Sequence, residues 1–489
     1  MGEEVEQQEF SRTDRTRYRE KVRRNLDVFA RMLRESRFDY EDPMTGLEIE
    51  LNLVDEDARP ALRNAEVLAE IANPDFQTEL GQYNLEINAA PKTLRERGLW
   101  SFEEDLRASL NDAEAKASRV GAHLVMIGIL PTLQHGHMAP STISANPRYK
   151  LLGDQILAAR GEDLLIDIGG TERLTTTSDS IMPEAACTSV QLHVQVSPEQ
   201  FADYWNASQV ISSIQLALGA NSAYLLGKEL WQETRIPLFE QATDTRSEEL
   251  KVQGVRPRVW FGERWINTIF DLFEENVRYF SALLPITDEE DPLEVLESGG
   301  TPSLHELRLH NGTIYRWNRP VYDVVDGTPH VRVENRVLGA GPTVIDMMAN
   351  AALYFGLVRT FANDDRPMWS QMSFSAAEEN FHDAARDGIE AEVYWPGIGH
   401  VSATELTLRK LLPLAQQGLD DWGVPGDESG RLLDVIEQRC LRAQNGASWF
   451  VKNVRAREAK GADRDTALRL TLQDYRERMH TNEPVHTWT

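Results

Sequence analysis

Strict alternation of apolar and polar residues recurs at four places in the chain and predicts four strands, each with one apolar and one chemically active face. In Gly46-Leu-Glu-Ile-Glu-Leu-Asn-Leu-Val54, Leu47, Ile49, Leu51 and Leu53 share one side, opposite Glu48, Glu50 and Asn52. In Tyr83-Asn-Leu-Glu-Ile-Asn-Ala89, Leu85 and Ile87 oppose Asn84, Glu86 and Asn88, with Glu79 just upstream. In Ser189-Val-Gln-Leu-His-Val-Gln-Val196, four aliphatic residues oppose Gln191, His193 and Gln195. In His330-Val-Arg-Val-Glu-Asn-Arg-Val337, Val331 and Val333 oppose Arg332, Glu334 and Arg336.

Other stretches follow the helical period instead. Residues 13–37, 64–72, 102–119, 149–159, 198 to about 227, and 260–284 are expected to be helices, with an apolar strand at 123–130. A strand pair is expected at 313–319 and 330–338, separated by the turn signal Asp326-Gly-Thr-Pro329. Beyond it the pattern is mostly helical: 344–362, 375–386, 403–416, 428–442 and 463–479. The expected class is α+β, an antiparallel sheet with flanking helices and a helical C-terminal region. No stretch is rich enough in Pro, Gly or Ser to mark a linker. The division is therefore by content: an N-terminal helical segment (1–40), a core (41–350) and a mostly helical region packed on it (351–489).

The four polar faces are unusual. Ordinary surface faces carry Lys and Thr, whereas these carry Glu, His, Gln, Asn and Arg and no lysine. Neighbouring carboxylates such as Glu48 and Glu50 repel and resist desolvation, so a folded strand tolerates them where solvent or a cation compensates. The plain alternative for any one segment is a half-exposed strand with a wet acidic face. Recurrence favours a sheet that presents oxygen ligands and an imidazole to hard divalent cations, with Arg forks nearby for phosphate or carboxylate.

Several tempting motifs lead nowhere. A Gly-x-x-x-x-Gly-Lys-Ser/Thr loop does not occur, and Leu338-Gly-Ala-Gly-Pro342 lacks the third glycine of a dinucleotide fingerprint. His305 and His310 stand five apart, one residue too far to share a helix face as paired metal ligands do. His135-Gly-His137 lies in a loop-like stretch and reads as incidental. Cys187 lacks an activating constellation and reads as a buried structural thiol.

The order Gly-x-Glu-x-Glu, a Glu pair seven residues apart, a His-centred strand, then Glu-x-Arg resembles the glutamate–cysteine ligase family, and more closely its bacterial carboxylate–amine ligase branch. The supporting residues are Gly46-Leu-Glu-Ile-Glu50, Glu79 through Glu86, Gln191-Leu-His193, Ala220-Asn-Ser222 and Glu334-Asn-Arg336. The resemblance covers about 44 to about 350 and implies a glutamine synthetase-like core, in which a curved antiparallel sheet holds two or three Mg2+ (or Mn2+) ions with ATP as co-substrate. It implies that Glu50, Glu79 and Glu86 hold one ion, that Glu48, His193 and Glu334 hold a second, and that Arg336 stabilises the transferred phosphoryl group. It also puts Arg235, in Glu233-Thr-Arg-Ile-Pro237, near substrate, with Arg316, Arg319 and Arg332 as further phosphate or substrate contacts. Catalysis would then rest on Arg336, Glu334 and Glu50.

The implied reaction activates a carboxylate, such as the γ-carboxylate of glutamate, as an acyl phosphate that an amine attacks. Glutamines flanking His193 and the long C-terminal extension depart from the family pattern and leave the amine open, with cysteine one candidate. Two other readings use the same sheet: a guanidino phosphotransferase, and a non-catalytic metal or nucleotide binder. Small molecules are the expected partners. A net charge of −27 argues against nucleic acid or anionic membrane surfaces, both of which need basic patches. Only two cysteines, an acidic polar start without an apolar signal region, and no run of roughly twenty apolar residues favour a cytoplasmic setting. Oligomeric state stays open.

Overall fold

The computed structural model describes residues 10–489. Its centre is a seven-stranded antiparallel sheet, curled into a half-barrel. The strands lie in the order Asn318–Val325, Thr328–Asn335, Val190–Val196, Thr45–Val54, Asn84–Lys92, Phe76–Thr78, with His123–Val125 paired beside Thr45–Val54. All four alternating segments are therefore strands, and all four are neighbours. Register does the rest. Glu48 stands opposite Gln191, Glu50 opposite Glu86, and Glu334 opposite His193. Since side chains alternate faces, these pairings collect every polar residue named above on a single face.

The other face is the core. Leu47, Ile49, Leu51, Val190, Leu192, Val194, Val331 and Val333 are all buried, and the sheet is backed by the helices Phe201–Gly219 and Val344–Ala362. Every residue of Phe201–Gly219 except Asp203 is buried. A helix buried all round belongs inside a large core, and its buried polar side chains such as Asn206 and Gln209 find backbone partners there. The C-terminal helices Leu412–Asp421 and Gly426–Arg442 pack on Val344–Ala362, which itself runs through position 350. Farther on, Tyr475 (in Arg464–Thr481) donates to the Met126 carbonyl at 2.7 Å and accepts from Asn221 at 2.8 Å. No helix among the described residues is long and apolar enough to cross a membrane.

Two close approaches depend on glycine. A Cβ on Gly46 would lie 3.3 Å from the Cβ of His193, so the glycine lets the two strands meet. The hairpin joining Asn318–Val325 to Thr328–Asn335 turns at Asp326 and Gly327, with φ of 50° and 76°. Two consecutive left-handed residues match the twist of a two-residue hairpin, which the Asp-Gly pair supplies.

Some expected elements fall differently. The apolar strand from 123 ends at Val125; beyond it Ile127 accepts from the Asn52 side chain, and Gly128 pairs with the backbone of Asn221 and Thr188. The helix expected over 260–284 is confined to Ile269–Tyr279, where Thr268 and Asp271 form a capping box. The strand expected at 313–319 divides. Tyr315–Arg316 pairs in parallel with Val259–Trp260, and the hairpin strand starts only at Asn318. The long helix expected from 198 starts at Phe201 and stops at Gly219. Helix Gly446–Glu458 and the hairpins Leu164–Gly169/Arg173–Ser178 and Glu392–Trp395/Gly399–Ser402 had no predicted counterpart.

Candidate active site

The polar face of the half-barrel lines a cavity of about 460 Å³. Its wall includes Glu48, Glu50, Glu79, Glu86, Arg235, Arg319, Arg332, Glu334 and Arg336. Two strands deliver Glu50 and Glu86, but Glu79 comes from the loop that follows Phe76–Thr78 rather than from a strand. Carboxylate oxygens of Glu50, Glu79 and Glu86 lie within 4.8 Å of one another. Glu50 is held firmly: Oε2 accepts from the Ser189 amide at 2.6 Å and hydroxyl at 3.0 Å, and Oε1 accepts from Gln191 Nε2 at 3.0 Å. Asn88 donates to Glu86 at 2.7 Å.

Electrostatically the trio is unfinished. Burial, reinforced by Glu86, pushes the Glu50 carboxyl up to about 7. Burial and its two acidic neighbours push Glu79 well above the ordinary range, and burial with Glu48 raises Glu86. Three converging oxygen donors whose ionisation is suppressed by burial and by neighbouring carboxylates fit a hard divalent cation, which takes carboxylate oxygens and would restore their charge.

Beside the trio is a second group: Glu48, His193 and Glu334. It shares the neighbourhood without converging; among the described residues only the first trio brings three ligand atoms that close. Glu334 accepts from Arg319 at 2.8 Å and from Arg336 at 3.0 Å. Against the penalty of burial, these two arginines hold it well below the usual carboxylate range. Burial also opposes ionisation of Glu48, but His193 overrides it and lowers its pKa. His193 Nε2 lies 3.3 Å from Glu48 Oε1 and is buried without a hydrogen-bond partner. Its Nδ1 accepts from Arg332 Nε at 3.1 Å. An arginine only donates, so this contact puts the neutral ring's proton on Nε2. Coordination through Nε2 would require Arg332 to release Nδ1.

The remaining arginines divide. Arg336 is raised by Glu334, Glu50 and Glu48 against the effect of burial. Arg235 is buried, with its fork on Glu233 and the carbonyls of Arg336 and Val337, and it lies over the Trp317 ring at 5.6 Å. Its position secures the chain segment that carries Arg336. Arg316 is not on the cavity wall. The split strand turns it to Asn276 at 2.9 Å, Glu275 at 3.5 Å and the Trp260 ring at 4.3 Å. The expectation that it contacts substrate or phosphate is corrected by that placement.

Decoy residues have structural surroundings. His310 is buried against the Asn276 carbonyl at 2.9 Å, and His137 Nδ1 caps a short turn by accepting from Gln134. Cys187 reaches the cavity, but burial raises its thiol well above its ordinary value, which disfavours thiolate. Wall residues that had not been singled out include Arg148, Tyr149, Glu184 and Ser189. Ser189 adjoins a recognised strand, whereas Glu184 sits in the single-turn helix Met182–Ala185, which shows no period to read.

The profile of Glutamate-cysteine ligase family 2 (GCS2) matches residues 44–424. No curated protein sequence matches the chain. Among solved structures, a glutamate–cysteine ligase from Francisella tularensis in complex with AMP aligns over 91% of this chain and 90% of its own, at 12% identity and TM-score 0.57. That likeness speaks for the fold. A bifunctional glutathione synthetase from Pasteurella multocida aligns over 94% of this chain and 55% of its own, at 12% identity and TM-score 0.49.

Proposed function

The chain belongs to glutamate-cysteine ligase family 2, and from that premise we propose that it is an ATP- and magnesium-dependent carboxylate–amine ligase, with glutamate as the preferred carboxylate and cysteine one candidate amine. The observation that carries the proposal is the convergence of Glu50, Glu79 and Glu86 in one cavity with Arg319, Arg332 and Arg336. The AMP bound by the Francisella ligase supports a nucleotide as a ligand. Chemistry is assigned to the 41–350 core, with the 351–489 helices as its packed support.

In this reading a carboxylate oxygen attacks the γ-phosphorus, the bond to ADP breaks, and an acyl phosphate forms. The amine then attacks the acyl carbon and phosphate leaves. Glu50, Glu79 and Glu86 would hold one Mg2+ or Mn2+, and Glu48, Glu334 and, once Arg332 moves, His193 would hold a second. Bound there, the ions neutralise phosphate charge and so lower the barrier to phosphoryl transfer. Arg336 is fixed by Glu334 at 3.0 Å, so its guanidinium is pre-oriented toward charge that develops on the transferred group. Ser189 and Gln191 hold both Glu50 oxygens, which keeps the ligand in place when the cavity is empty. No protein nucleophile takes part, in keeping with the protonated Cys187.

Phosphate release from Mg-ATP, measured with glutamate against a panel of amines and with product mass recorded, tests the proposal. Release that needs both substrates and yields an amide-mass product is expected. Phosphate transfer to a guanidine, or ATP turnover indifferent to the amine, would contradict it.

A further inference from the structure

Three residues of the cavity wall carry a buried oxygen that faces nothing it can bond: Asn84 Oδ1, Glu184 Oε2 and Gln191 Oε1. Glu184 is the ionisable one among them, and Gln191 shares its neighbour Glu50. Gln191 is 3% exposed, and its orientation is fixed because its Nε2 donates to the Glu50 carboxylate, which leaves Oε1 as the free end. Buried polar atoms in native proteins are normally satisfied, so an unsatisfied pair of acceptors on a cavity wall points to a donor that arrives from outside. Glu184 stands outside the converging trio, so it is not one more ligand of that site. Among cations, Arg336 acts on it most strongly, yet that guanidinium is committed to Glu334 at 3.0 Å. What remains is a carboxyl group whose ionisation burial suppresses, pushing it up to about 8, and an amide oxygen that carries no hydrogen. A primary ammonium, with its positive charge and three N–H donors, satisfies both.

The neighbours of Glu184 say which ammonium. Its strongest charged interactions are with Arg336 and Glu50, the residues assigned above to the transferred phosphoryl group and to a metal ion. Glu184 therefore borders the end of the cavity where the acyl phosphate forms. The α-ammonium of a glutamate donor is three carbons removed from its γ-carboxylate, whereas the attacking amine must stand next to the acyl carbon. Building on the ligase reading, we propose that Glu184 is the subsite that receives the ammonium of the acceptor amine and, as its carboxylate, takes the proton the nitrogen sheds before it attacks the acyl carbon, with Gln191 Oε1 on the same cavity wall as a further acceptor. The acceptor class follows: a primary amine that is cationic in solution, rather than a neutral nucleophile such as an alcohol or a thiol without an amino group.

The test separates binding from turnover. With Mg-ATP and glutamate, Glu184→Gln should raise KM for the acceptor amine about tenfold or more while KM for glutamate stays within about twofold, and Glu184→Asp should recover part of the loss. An unchanged amine KM, or equal rises in both KM values, overturns the subsite. A second readout needs no turnover: tryptophan fluorescence of the Mg-ADP complex titrated with L-cysteine against mercaptopropionate, and with L-alanine against propionate. Preference for the amino-bearing member in wild type, lost in Glu184→Gln, supports the subsite even where the wild type forms no amide. In that event the ligase reading fails alone. No such preference in wild type, or the same preference in both proteins, overturns the proposal.

Discussion

Two regions of this molecule bury charge, and they do so to opposite ends. Under the C-terminal helices, Arg439 and Asp346 are 1% and 0% exposed, and the opposite charges meet each other. Arg439 donates to Asp346 Oδ1 at 2.8 Å and to Asn350 at 2.5 Å, while Asp346 Oδ2 accepts from Thr343 at 2.7 Å and the Val485 amide at 2.9 Å. In the cavity, Glu50, Glu79 and Glu86 crowd together, with their ionisation suppressed by burial and by neighbouring carboxylates. The first arrangement pairs opposite charges and locks helices to the core. The second gathers like charges, which a bound cation would compensate. Buried charge that is satisfied internally serves stability, and buried charge left wanting marks a place where something binds.

The contrast breaks most sharply in mutation. Glu50→Gln or Glu334→Gln should reduce turnover about a thousandfold while the protein stays folded, because each removes a group that acts on transition-state charge. Near-wild-type turnover in either variant, measured as amine-dependent phosphate release, would remove the site assignment. In the other region, Asp346→Ala should destabilise by about 3–5 kcal/mol, since it strands a buried guanidinium. Denaturant titration checks this; a loss below about 1 kcal/mol would place that pair with ordinary surface ion pairs.

A pH series sharpens the same comparison more gently. In metal-free protein Glu50 stays protonated up to about 7, whereas in the unfolded chain it ionises near its ordinary value of 4.5. Over that window the folded state holds the extra proton, so stability falls as pH rises and levels off above about 7. Mg2+ should flatten the slope, and a melting temperature already flat without metal would contradict the crowding. The smallest effect belongs to Glu172, drawn down to about 2 by a backbone amide, Arg464 and Lys228 against a burial penalty. Its contribution is present above the unfolded value of 4.5 and fades as pH falls toward 2. Because the network is partly exposed, Arg464→Ala should cost about 1 kcal/mol or less at neutral pH; a larger loss in denaturant titration would assign it a buried role.

The sheet face was legible in the chain because a strand's side chains alternate without exception: once Glu48, Glu86, His193 and Glu334 lie on strands, their face follows. Periodicity does not reach residues off the strands. Glu79, named through the family resemblance, reaches the trio from a loop, and Glu184, not named, sits in a single turn. Arg316 was misplaced because Tyr315–Arg316 belongs to a different strand pair from Asn318–Val325, a break that alternation does not reveal. Helix Gly446–Glu458 follows Ala-Gln-Asn-Gly, which reads as a turn, although Asn445 and Ser448 form a capping box at its start. Register between strands, which decides that Glu50 meets Glu86, is tertiary information that no single segment contains.

The central claim is that the crowded carboxylates exist to hold a cation. Mn2+ binding to wild type and to Glu50→Gln, followed by electron paramagnetic resonance with and without ATP, tests it most directly. The account predicts a Mn2+ site in wild type that ATP strengthens and Glu50→Gln loses. Wild type that binds no Mn2+, or a Glu50→Gln variant that binds it equally well, would contradict the account.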